Sequence, residues 1–130
     1  MTTIKSYTDI NQSKKLAEIL PTESADMHYW KRTWKENDYA ISVGHSKELQ
    51  EGFEYKCIEY IPCWSLAALL DVLQKTAYLI DEDANVVLCS YKTAEWNLGI
   101  NNSDLEFITK SNPVDACVEM IIKLHEQKLL

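Results

Sequence analysis

Four cysteines (Cys57, Cys63, Cys89, Cys117) and three histidines (His28, His45, His125) carry the nucleophilic and metal-binding potential of this sequence. No two cysteines stand in a Cys-x-x-Cys spacing, so neither a zinc knuckle nor a thioredoxin-type redox pair is spelled out, and free buried thiols are the default expectation. Cys63 is the best placed for chemistry. It lies just ahead of a helix start, where the positive end of the helix dipole favours a thiolate, although its setting between Pro62 and Trp64 equally suits a packed core thiol. His125 falls on an apolar helix face and is expected to be half-buried and hydrogen-bonded rather than a ligand.

Two motifs begin and then fail. Asp81, Asp83 and Asn85 place oxygens at every second position, as the opening of a calcium loop does. The glycine of the sharp turn is replaced by Val86 and the closing carboxylate by Lys92, so a hairpin turn is the expected structure. Gly44-His45-Ser46-Lys47-Glu48 opens like a nucleophile elbow, but Glu48 stands where close packing of the following helix needs a second glycine. No motif calls for a metal or a cofactor.

The segment from His28 to Lys35, HYWKRTWK, is where aromatic and basic residues interleave. Read as a strand, it puts Trp30, Arg32 and Trp34 on one side, a stripe able to stack on bases or grip an acidic partner. The competing expectation turns both tryptophans into the core and leaves the cations on the rim. Lys plus Arg number 13 against 20 Asp plus Glu, a net charge of −7 that repels phosphate backbones and anionic membranes at long range. The charge argues against nucleic acid.

The elements that must position these residues can be read from periodicity. Asp9 and Gln12 have the spacing of a capping box, and Ile10, Ser13, Ala17 and Leu20 recur on one face until Pro21. Strands are expected at 28–35, where a helix pairing Trp30 with Trp34 is the alternative, in YAISVG, in FEYKCIEYI halted by Pro62, in AYLI and in NVVLCSY, with a further short one around Trp96. Ser46 to Gly52 reads as a single helical turn or loop. Ser65 caps an apolar helix through Leu66, Leu69, Leu70 and Leu73. Asn112, Pro113 and Asp115 open a last helix whose apolar face is Val114, Cys117, Val118, Ile121, Ile122 and His125.

Strands grouped between single helices predict an α+β fold, a mainly antiparallel sheet with three principal helices packed against it. At 130 residues with 46% hydrophobic content, the chain is expected to be one domain, 1–130, with a single core. The N-terminal residues lack the apolar run of a signal peptide, and the run from Leu66 to Leu70 is too short to span a bilayer, so a cytoplasmic location is expected.

Three stretches, KKLAEILPTESADMHYW, IPCWSLAALLDVL and NPVDACVEMIIKLHEQKLL, together resemble small uncharacterised proteins encoded by phages and other mobile elements of gut bacteria. The resemblance implies expression in a bacterial cytoplasm and an accessory role, with no activity and no catalytic residue attached. The leading functional expectation is a non-enzymatic module acting on an unidentified protein partner or by self-association. The alternatives are a small enzyme with a thiol or histidine centre around Cys63 or His45, and a nucleic-acid or nucleotide binder using the stripe from Trp30 to Lys35.

Overall fold

The computed structural model describes residues 5–31, 39–43, 59–92 and 94–130. Helix α1 (Ile10–Ala17) begins on the expected capping box. The Asp9 carboxylate accepts from the Gln12 backbone N–H at 2.8 Å, and the Gln12 side chain accepts from the Asp9 N–H at 3.1 Å. The buried face differs by one position from the expected one: Leu16, not Ala17, enters the core beside Ser13 and Leu20. The helix tightens at its end, where Ile19 N–H bonds to Leu16 O at 2.9 Å, before Pro21 leads into a single 3₁₀ turn at Thr22–Ser24.

Strands β1 (Met27–Lys31), β2 (Ala40–Val43) and β3 (Glu59–Cys63) form an antiparallel sheet in the order β2-β1-β3. Pro62 does not halt the third strand but lies within it, opposite His28. Its missing N–H is tolerated because, among the described residues, β3 is an edge strand, where a proline can turn its nitrogen away from the ladder. The chain before β1 extends this edge: Tyr7 bridges to Ser65, and Thr8 N–H donates to Trp64 O at 3.0 Å.

Ser65 then caps α2 (Leu66–Ile80), its hydroxyl accepting from Ala68 N–H at 3.2 Å. Asp26 holds the cap in turn by accepting both the Ser65 N–H and its hydroxyl. The four residues AYLI, expected as a strand, are the last turn of this helix. Leu69, Leu73 and Ala77 carry a four-residue period straight through them, and the continuing helix buries Ala77 completely. The acidic turn after Ile80 accordingly joins a helix to a strand and is not a hairpin.

Strands β4 (Val86–Lys92), β5 (Glu95–Ile100) and β6 (Ile108–Lys110) make a second antiparallel sheet, ordered β4-β5-β6. The strand around Trp96 is thus a full central strand, and β6 is an element the sequence did not suggest. A Cβ at Gly99 of β5 would lie 2.3 Å from the Phe107 ring, so glycine lets that half-exposed ring lie directly on the strand.

Helix α3 (Pro113–Glu126) starts as expected, with the Asn112 side chain accepting from Val114 N–H at 2.9 Å. Asp115 in its first turn reaches α1, accepting from Lys5 at 2.8 Å and Gln12 at 2.7 Å. Burial alone would push the Asp115 carboxyl up, but those two hydrogen bonds and the charges of Lys5 and Lys110 hold it below its ordinary range. At the other end, Lys128 N–H bonds to His125 O at 3.0 Å and Leu129 N–H to Leu124 O at 2.9 Å, a Schellman arrangement with Lys128 left-handed at φ 61°. A lysine Cβ is strained there and glycine is not. Lys128→Gly should therefore stabilise the fold by about 1 kcal/mol, raising the melting temperature by roughly 3–6 °C; an unchanged or lower melting temperature would contradict the strain.

Among the described residues the architecture is α+β, with three principal helices, as expected, and two small sheets in place of one. The larger core lies among α2, α3 and the second sheet, joined by Leu16, Leu20 and Trp64. A smaller cluster of Tyr29, Ile61 and Cys63, flanked by Ile10, Met27 and Ile41, fills the space between the first sheet and α1.

Candidate interaction surface

The register of the first sheet decides what the tryptophan stripe can be. Trp30 pairs with Ala40 on one side and Tyr60 on the other, is half-buried, and donates its indole N–H to Ser42 Oγ at 3.1 Å. His28, fully buried, shares that face beside the Tyr60 ring, with ring centroids 6.0 Å apart. Tyr29 points the other way, into the small core, and donates its hydroxyl to Thr8 O at 2.7 Å. Arg32 and Trp34 lie outside the described residues, as do Lys35, the Gly44–Glu48 motif with His45, and Cys57.

Cys63 ends β3 inside a buried polar knot. The Thr8 and Ser13 hydroxyls are 2.7 Å apart, Thr8 Oγ1 accepts from Trp64 N–H at 3.2 Å, and Cys63 Sγ lies 3.5 Å from both oxygens of Thr8. Thr8, Ser13 and Cys63 have no exposed surface. Burial pushes the Cys63 thiol up, outweighing the hydrogen bonds from Thr8, Ser13 and Tyr29 that favour the thiolate. The nearby start of α2 does not reverse this, because Ser65 and Asp26 already occupy the cap. No imidazole reaches the sulfur from β1: Met27 is its strand partner, and the next residue, His28, faces the opposite side of the sheet.

Cys117 is also fully buried, its thiol raised to about 12 by desolvation. Since the thiolate is the reacting species, both thiols should be modified by a disulfide reagent on the order of a hundredfold more slowly in the native protein than in urea. Peptide mapping that found Cys63 modified as fast as an unfolded thiol would contradict the burial and reopen a thiol centre.

His125 is exposed rather than half-buried, with Nδ1 2.9 Å from Leu130 O, because Leu124 takes the core position beside it. In the acidic turn, Asp81 accepts the Asp83 N–H at 2.8 Å, and Asn85 N–H donates to the Asn101 side chain. The Asp81 and Asn101 side-chain oxygens thus serve the backbone of the turn. Among the described residues no cluster of three His, Cys, Asp or Glu side chains could hold a metal, and no helix is long and apolar enough to cross a membrane.

The surface offers a different candidate. Tyr78 and Leu79, consecutive on the last turn of α2, are 59% and 81% exposed. With Gln74 and Lys75 they line an apolar groove of about 470 Å³. On the other side of the same turn, Ile80 borders a cleft of about 560 Å³ with Leu105 and Leu129 as apolar walls and Asp104, Glu106 and Lys123 among its polar ones. A third groove of about 370 Å³ runs between Leu20, Pro21, Val72, Thr76 and Leu130. No cysteine or histidine lines any of the three.

Reading AYLI as a strand hid the Tyr78–Leu79 ridge. The signal was nonetheless present, since a helix that buries Leu69, Leu73 and Ala77 must turn positions 78 and 79 outward. Compared with protein-family models, curated proteins and solved structures, the chain gives no match.

Proposed function

We propose that this chain is a non-enzymatic binding module, an accessory protein of a phage or other mobile element in the bacterial cytoplasm. It acts by self-association or by holding a protein partner through the end of α2. The observation that carries this reading is the exposure of Tyr78 and Leu79 side by side on a well-capped helix. Scattered exposed apolar residues are ordinary, whereas adjacent large ones beside an apolar groove are the composition of an interface centre. Covering each would contribute about 2 kcal/mol, enough to matter for an interface of modest size.

The reading also draws on the burial of Cys63 and on grooves lined by neither thiol nor imidazole, which give a Cys/His centre no support. Sedimentation over roughly a hundredfold range of concentration tests the self-association arm. A mass that rises with concentration in the wild type, and stays monomeric in Leu79→Glu, is the expected result. A mass that rises equally in both proteins would place the contact elsewhere and remove α2 from the proposal.

A further inference from the structure

From the cleft beside Ile80 we infer a more specific occupant: a cationic, amphipathic segment of a partner protein, its apolar side chains on Ile80, Leu105 and Leu129 and its Lys or Arg residues on the acidic rim. This deepens the binding-module reading and rests on it.

The inference starts from the distribution of charge. Asp104 and Glu106 border the cleft, and Lys123 is the cation among its lining residues. Directly after Ile80 the chain turns through Asp81, Glu82 and Asp83, all exposed. That turn is fastened to the segment leading into the cleft: Asn101 N–H donates to Asn85 O at 3.0 Å, and Asn102 Nδ2 donates to Asp83 O at 3.2 Å. Five carboxylates are therefore carried by two short segments that are hydrogen-bonded to each other.

Among the described residues none of these five has a lysine or arginine within 4 Å. Like charges gathered at one end of a protein of net charge −7 repel one another, and a cationic ligand relieves that repulsion. An anionic ligand would add to it.

The apolar walls set the second requirement. Ile80 and Leu105 pack against the main core from below and show their outer surfaces to the cleft, while Leu129 is 42% exposed at its edge. A simple polycation would leave these surfaces wet. A segment with apolar residues at helical spacing and cations between them satisfies floor and rim together, the helix-in-groove mode of recognition.

The test uses a fluorescein-labelled model peptide of leucines at helical spacing with lysines between them, read by anisotropy against the whole protein. Saturable binding is expected, at least tenfold weaker for the double variant Asp104→Lys/Glu106→Lys and severalfold weaker for Leu129→Ser. A control pair outside the cleft lining, Glu18→Lys/Glu95→Lys, changes the net charge by the same amount and should leave binding within about twofold, since exposed charges away from the contact are screened. Circular dichroism and melting of each variant establish that it is folded.

Equal losses for the control and the cleft pairs would show only general attraction to an acidic protein and overturn the inference. So would equal binding of a peptide with glutamates in place of the lysines. If the lysine peptide does not bind while the wild type still self-associates through Leu79, this occupant is wrong and the binding-module reading stands.

Discussion

Trp64→Ala is expected to lose about 3–5 kcal/mol of stability and lower the melting temperature by roughly 15 °C. Trp64 is fully buried, belongs to the core cluster that contains Leu16, Leu20, Ala25 and Leu69, and donates its indole N–H to Ser24 Oγ at 2.9 Å. It stands between the end of β3 and the start of α2, so the cavity would open where the first sheet meets the helical core. Collapse around that cavity is restrained because the Trp64 backbone is bonded on both sides, its N–H to Thr8 Oγ1 and its carbonyl from Thr8 N–H. Trp64→Phe keeps most of the apolar volume and loses the indole bond, and should cost only about 1–2 kcal/mol. Chemical denaturation checks both values, and a loss below about 1.5 kcal/mol for the alanine variant would contradict the packing described.

The second large effect is expected at a residue with no obvious claim on attention in the sequence. Thr8→Val preserves the shape of the side chain and removes one hydroxyl. That hydroxyl is fully buried, accepts the Trp64 N–H and pairs with Ser13 Oγ. Valine would leave the Trp64 N–H buried without its acceptor and remove one of the partners of Ser13 Oγ, at a cost of about 2–4 kcal/mol in total. Thr8→Ser keeps the hydroxyl, loses one methyl and should cost about 1 kcal/mol. The ordering of the two variants in urea midpoint tests the polar knot directly. A valine variant as stable as the serine one would mean that the hydrogen bonds contribute nothing net.

These two sites mark the boundary of what the sequence made legible. Helix starts were readable because their signals are local: Asp9 with Gln12, Ser65, and Asn112 with Pro113 each act within one turn. Pro62 misled because its effect depends on whether the strand is central or at an edge, which only strand order decides. AYLI misled because four apolar residues fit a strand or a helix equally well, and the choice was made by the period running through Leu69, Leu73 and Ala77. The division into two sheets, and the third strand at Ile108–Lys110, depend on pairings across the chain that periodicity does not encode.

The candidate site divides in the same way. Trp30 was placed correctly on a strand, on the face shared with His28, but its bond to Ser42 depends on the register with β2. Cys63 was noticed for its position before a helix, and that position proved secondary to its burial, which outweighs even the hydrogen bonds from Thr8, Ser13 and Tyr29. Tyr78, Leu79 and the cleft beside Ile80 went unnoticed because an exposed surface is defined by what fails to cover it.

The central claim, that the end of α2 is where this protein binds, is tested most directly by affinity retention from bacterial lysate with tagged wild type and the double variant Tyr78→Glu/Leu79→Glu in parallel. The account predicts that proteins, or further copies of the chain, retained by the wild type are lost by the variant while its melting temperature is unchanged. Retention of the same set by both, or a strictly monomeric wild type that retains nothing, would contradict it.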